Sequence, residues 1–158
     1  MSNYLKALRE LIGHRKVIHP GARVIIENAK GEILFVRRTD SGQWGLPAGG
    51  LEEEEDITAC IRREVLEETG LKLLEIELIG ISSHPSQESV EYPNGDRVQY
   101  FTAEFYCAQW HGEPRPDDTE TREVRFMNVD AVQDLPAQEF ATFESLLFFR
   151  ATGRVRVR

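Results

Sequence analysis

The chain has 158 residues, 41% of them hydrophobic, and a formal net charge of -8, enough to build one core without disulfides or a structural metal. The acidic balance argues against a protein that tracks nucleic acid along its backbone, because that needs a basic face to release phosphate counterions. No apolar run approaches the roughly 20 residues that span a bilayer, and the start MSNYLKALRE lacks the layout of a secretory signal, so no membrane partner and a cytoplasmic location are expected.

In chain order, Asn3 or Ser2 caps an amphipathic helix whose Tyr4, Leu5, Leu8, Leu11 and Ile12 recur at helical spacing before Gly13 stops it. Residues 1–15 are therefore expected as a helical extension packed against the main body of a single domain, 1–158. Two strands follow, Ala22 to Glu27 and Glu32 to Arg38, joined by the turn Asn28-Ala29-Lys30-Gly31. Thr39 to Glu54, rich in glycine, reads as a long ordered loop rather than an element. A helix is expected from Asp56 to Thr69, ended by Gly70. Strands return at Leu73 to Ser82, Val98 to Gln109 and Glu123 to Asn128, and Phe140 to Phe149 reads as a C-terminal helix. Helices interspersed with hairpins point to an α/β layered domain with a mixed sheet. Cys60 and Cys107 stand in no metal-ligand spacing and read as reduced packing thiols.

Much of the acidity lies between Glu52 and Glu68, for which composition alone favours a solvated surface. Periodicity argues otherwise. At about 100° per residue, Ile57, Ile61, Glu64 and Glu68 share one stripe, with Cys60 and Glu67 on its flank. A stripe that begins buried aims Glu64, Glu67 and Glu68 along the inner side of the domain. Partly desolvated carboxylates one turn apart lose charge unless a cation compensates. A hard divalent ion suits a glutamate cluster without His or Cys, and magnesium fits better than zinc. Arg63 can donate a fork of hydrogen bonds that fixes a neighbouring carboxylate; its other role would be an ordinary surface ion pair.

The segment from Gly49 through Glu55, Arg63, Glu64, Val65, Glu67, Glu68 and Gly70 to Leu71 resembles, at every fixed position, the Nudix box G-x5-E-x7-R-E-U-x-E-E-x-G-U, U being aliphatic. Seven fixed residues at typical usage of about 6% each put a chance match at a given start on the order of 10⁻⁹. Ile33 to Arg38 and Trp44 to Gly50 look like the strand and loop that precede the box, and the resemblance covers Ala22 to about Leu135. Many Nudix (MutT-like) members have glycine where this chain has Ala48 and Glu54.

The resemblance implies an α/β/α sandwich around a mixed sheet, and a hydrolase that attacks a phosphorus of an X-linked nucleoside diphosphate. It implies that Glu64, Glu67 and Glu68 ligate magnesium or manganese, that the Ala48 carbonyl is a further candidate ligand, and that Arg63 and Glu55 support them. Glu120 resembles the downstream glutamate that some members bring to the metals, and is the rival of Glu64 as general base; its bland role is a loop carboxylate in an exposed run. Arg37 and Arg38 alternate across a strand, so one of the two is expected to face substrate phosphate. Trp44 is read as a core or hinge plug in preference to a base-stacking ligand. His14, His19, His84 and His111 form no constellation and are expected at the surface or in turns.

Two functions remain open at this point. One is a pyrophosphatase acting on a small nucleotide, ADP-ribose, an ADP-sugar or a nucleoside triphosphate; Pro85 lies close to, but not on, the place where ADP-ribose-cleaving members carry a proline. The other is a Nudix-fold nucleotide-binding or regulatory module without catalysis, which usually lacks box carboxylates that are all present here. A homodimer is a family-level expectation.

Overall fold

The computed structural model describes residues 3–158, so the Ser2 cap lies outside the described residues. The chain runs through α1 (Asn3–Ile12), β1 (Val17–Ile26), β2 (Ile33–Arg38), β3 (Trp44–Gly45), β4 (Ala48–Gly50), α2 (Ile57–Thr69), β5 (Lys72–Leu73) and β6 (Glu77–Ser82). It continues through α3 (Pro85–Glu88), β7 (Ser89–Glu91), β8 (Arg97–Cys107), β9 (Trp110–His111), β10 (Thr121–Met127), a 3-10 turn at Val129–Ala131, α4 (Ala137–Thr152) and β11 (Arg156–Val157).

The main sheet has the order β11-β6-β8-β1-β4, with β7 also paired to β8. It is mixed: β1 runs parallel to β8 and antiparallel to β4, while β6 is antiparallel to β8 and parallel to β11. A second sheet, β10-β2-β3, is antiparallel throughout. Period-2 alternation sends β1 side chains to two covered faces. Ala22, Val24 and Ile26 pack with Ile61 and Val65 of α2. Ile25 on the other face packs with Leu146 of α4 and with Phe35 and Ile79. Helices on both faces of a mixed sheet make the expected α/β/α arrangement.

The helix ends follow local chemistry. Asp56 accepts from the N–H groups of Thr58 and Ala59, both at 2.9 Å, and Gly70 closes α2 at φ 73° with its N–H on the Leu66 carbonyl. The segment Thr39 to Glu54 differs from the expected loop, because β3 and β4 lie inside it, held by β2 and β1. Glu54 takes φ 61°, a left-handed conformation that favours glycine and that a side chain adopts at a cost of about 1 kcal/mol.

One layer contact breaks the apolar rule. Arg23, 6% exposed on β1, is enclosed on the α4 face by Glu88 at 3.3 Å, Glu104 at 3.8 Å and Glu139 at 3.8 Å. Arg158 pairs with Glu104 at 2.6 Å. Glu139 also accepts from the Leu46 N–H at 3.2 Å, which ties α4 to the chain between β3 and β4. His19 also departs from expectation: it is buried, with its ring stacked on Tyr4 at 5.9 Å.

Candidate active site

The stripe along α2 is where the sequence placed it. Glu64 and Glu68 are 9% and 8% exposed, one turn apart and one turn beyond the buried Cys60 and Ile61. Glu67 differs: its side chain is 58% exposed, at the rim instead of on the inner side. Its place on the flank of the stripe, about 60° from Glu64 and about 100° from Glu68, accounts for this.

Arg63 organises the acids. It donates to both oxygens of Glu55 at 2.7 and 2.9 Å, to Glu64 Oε1 at 2.8 Å, to Glu67 Oε2 at 3.2 Å and to the Gly50 carbonyl at 3.1 Å. The hydrogen bonds from Arg63 hold the Glu55 carboxyl below its ordinary range. Burial dominates at Glu64, whose pKa is raised despite Arg63. Burial also pushes Glu68 well above the ordinary range, with the Glu64 charge adding to it; the Ala48 N–H at 3.3 Å opposes this. Burial pushes the Cys60 thiol up to about 12, which leaves it an inert packing group.

Close approach of the box loop to the helix depends on Gly49. A Cβ there would fall 1.9 Å from Glu64 Cδ, so any side chain at this position displaces the glutamate.

These carboxylates open on a cleft of about 330 Å³. Its acidic lining is Glu52, Glu64, Glu67, Glu68, Asp117 and Glu120; its cations are Lys6 and Arg63. Glu120, from the loop before β10, thus shares the cleft with the α2 glutamates, and its charge acts on Glu68. Ala48 lies beside Glu68 but outside the lining. Arg37 and Arg38 lie outside it too. Arg37 pairs with Glu123 at 2.8 Å and stands 5.7 Å from the Trp44 ring centre; Arg125 stands 5.9 Å from the same ring, so Trp44 is half-buried with two guanidinium groups against it. Arg38 is held by Asp40 at 2.9 Å, and its charge reaches Glu68.

Sequence reasoning missed Lys6, Glu52 and Asp117 as cleft residues. Glu52 carried a signal, since it lies within the box; Lys6 and Asp117 arrive only through the tertiary fold.

The fit to a hard cation rests on the donor set. Two buried carboxylates carry an electrostatic penalty, oxygen donors surround them, and no His or Cys is among the lining residues. Among the described residues no three acidic, His or Cys side chains are already gathered as a closed ligand set.

The sequence profile of the NUDIX domain matches residues 17–146. The chain belongs to the NUDIX family. Members that are hydrolases generally use divalent metal ions. An RNA pyrophosphohydrolase of Pasteurella multocida is 32% identical over 65 residues, 41% of this chain and 33% of the relative, so the match spans about a third of that protein's length. The structure of a MutT NUDIX hydrolase from Burkholderia pseudomallei superposes with a TM-score of 0.69 at 23% identity, covering 82% of this chain and 98% of the other. The NUDIX domain of Shewanella oneidensis NrtR, solved with ADP ribose, gives 0.68 at 17% identity, covering 96% and 100%. At these identities the structural likenesses show a shared fold. No helix among the described residues is long and apolar enough to cross a membrane.

Proposed function

We propose that this NUDIX chain is a magnesium-dependent pyrophosphohydrolase that cleaves the diphosphate linkage of a nucleoside diphosphate derivative. The observation that carries the reading is the pair Glu64 and Glu68, buried side by side on one helix face at the wall of an open cleft. Burial holds both above the ordinary carboxylate range, a penalty that a metal cation beside them would offset. Glu64, Glu67 and Glu68 would hold the ion, with the Ala48 carbonyl as a further oxygen donor next to Glu68. When bound, such an ion polarises phosphoryl oxygens, neutralises charge on the leaving group and makes water a stronger nucleophile.

The chain's own contribution is positioning and proton transfer. Arg63 fixes the orientations of Glu55, Glu64 and Glu67 through its hydrogen bonds and leaves Glu68 to the cleft. Glu120 and Glu64 are the two positions for the base that takes a proton from the attacking water. ADP-ribose, a related ADP-sugar or a nucleoside triphosphate fits the reading, the first because an NrtR NUDIX domain of the same fold was solved with ADP ribose.

The test is a panel of nucleoside diphosphate derivatives with magnesium in water enriched in heavy oxygen. Turnover is expected, with the label in one phosphate product marking the phosphorus attacked. Binding without turnover across the whole panel would sink the enzyme reading in favour of a nucleotide-binding module.

The acids also set a pH signature of ion binding. The folded pKa values of Glu64 and Glu68 lie above their unfolded values. Without metal, these groups therefore reduce stability as pH rises from the ordinary carboxylate range through the raised values. Magnesium competes with those protons, so its stabilising effect should be larger at pH 8 than at pH 5. Thermal melts with and without magnesium at the two pH values check this; an equal shift at both removes the buried pair from the ion site.

A further inference from the structure

The NUDIX match begins at residue 17, so α1 lies outside the matched segment, and it is firmly docked. Leu5 is 1% exposed, Tyr4 stacks on His19, and Arg9 donates to the Arg97 carbonyl at 2.7 Å. Its first turn is held by the box loop: Glu52 accepts from the N–H groups of Asn3 and Tyr4. The positive end of the helix is thereby already satisfied by a carboxylate. α1 adds Asn3 and the cation Lys6 to the cleft lining.

The two cations of the cleft differ in commitment. Arg63 is spent on Glu55, Glu64, Glu67 and the Gly50 carbonyl. Lys6 makes no ion pair and no side-chain hydrogen bond among the described residues, although six carboxylates share its cleft. An ammonium on a flexible four-carbon stem, beside acids but bound to none, is placed for an anion that arrives from outside. We propose that Lys6 is a substrate-phosphate ligand, supplied by the N-terminal helix, that contacts a phosphoryl oxygen of the bound diphosphate. This rests on the reading of the cleft as a diphosphate site. It gives α1 a role in substrate affinity instead of chemistry, because a charge–phosphate contact made in the ground state is kept in the transition state.

The experiment compares wild type with Lys6→Met, Lys6→Glu and Lys6→Arg. Two quantities are read: the kinetics on whichever panel compound turns over, and the affinity for inorganic pyrophosphate with magnesium by calorimetry. Lys6→Met is expected to raise KM and the pyrophosphate Kd about tenfold, with kcat within threefold of wild type. Lys6→Glu should weaken both further, and Lys6→Arg should restore most of the affinity. The exposed position predicts unchanged melting temperatures. KM and Kd within twofold of wild type in Lys6→Met would overturn the proposal, as would a loss confined to kcat. The pyrophosphate titration needs no turnover, so a chain that binds but does not hydrolyse sinks the hydrolase reading and still decides Lys6.

Discussion

Glu68→Gln is expected to lower turnover about a hundredfold or more while the protein without metal melts at the same temperature as wild type or higher. The argument is electrostatic. Glu68 is 8% exposed, and its carboxyl is held well above the ordinary range by burial and then by the charge of Glu64. The neutral amide removes that penalty and keeps an oxygen for the Ala48 N–H. What it removes is the anionic oxygen an ion requires. The magnesium-dependent rise in melting temperature should therefore shrink together with the activity. Retained activity in a variant that is no less stable would place the ion elsewhere. A variant that is simply unfolded would show that the carboxylate serves the fold.

How much of this was legible in the sequence depends on the range of the interaction. The helix α2 was readable to within one residue, because Asp56 and Gly70 are local cap signals and Ile61, Glu64 and Glu68 recur at its period. β2 and β10 were found because their apolar runs are short and bounded by turns. The strand β1 begins at Val17, five residues before the expected Ala22. Pro20 and Gly21 are residue types that punctuate strands, yet the parallel pairing with β8 runs through both. β3, β4, β7 and β11 have two or three residues each, too few for a period of two to register; only pairing partners define them. The expected strand from Leu73 to Ser82 divides into β5 and β6 for the same reason.

The site shows the same division. The box named Glu64, Glu68, Arg63 and Glu55 because one helix and its preceding loop carry them. Glu67 was read as inner and is at the rim, since its side chain leaves the helix away from the buried stripe. Glu120 depended on a resemblance, and the fold does bring it into the cleft. Lys6 is 46 residues from Glu52 in sequence, and no local pattern could have joined them.

The charge cluster on the other face was invisible for that reason too, and it carries the largest stability effect expected for a single substitution. Arg23, Glu88, Glu104 and Glu139 come from β1, α3, β8 and α4, and all are less than a tenth exposed. Arg23 faces all three carboxylates, while Arg158 reaches Glu104. The two guanidinium groups thus leave one negative charge in excess. Arg23→Met keeps much of the side-chain volume and leaves buried acids short of a partner, a change that typically costs about 3–5 kcal/mol.

The loss should depend on pH with a definite sign. Burial already raises the Glu139 carboxyl above its ordinary value, and Arg23 opposes that rise. Removing Arg23 raises it further, so the variant favours the protonated acid and loses stability as pH climbs above the ordinary carboxylate range. Urea denaturation should therefore show a larger deficit at pH 8 than at pH 5.5, and Glu139→Gln added to Arg23→Met should recover part of it. Activity is expected to fall in parallel, because Glu139 holds the Leu46 N–H and Arg23 lies opposite Ala48 in the β1–β4 pairing. A variant within 1 kcal/mol of wild type at both pH values, on the scale of an ordinary surface substitution, would show that the cluster tolerates its own excess charge without Arg23.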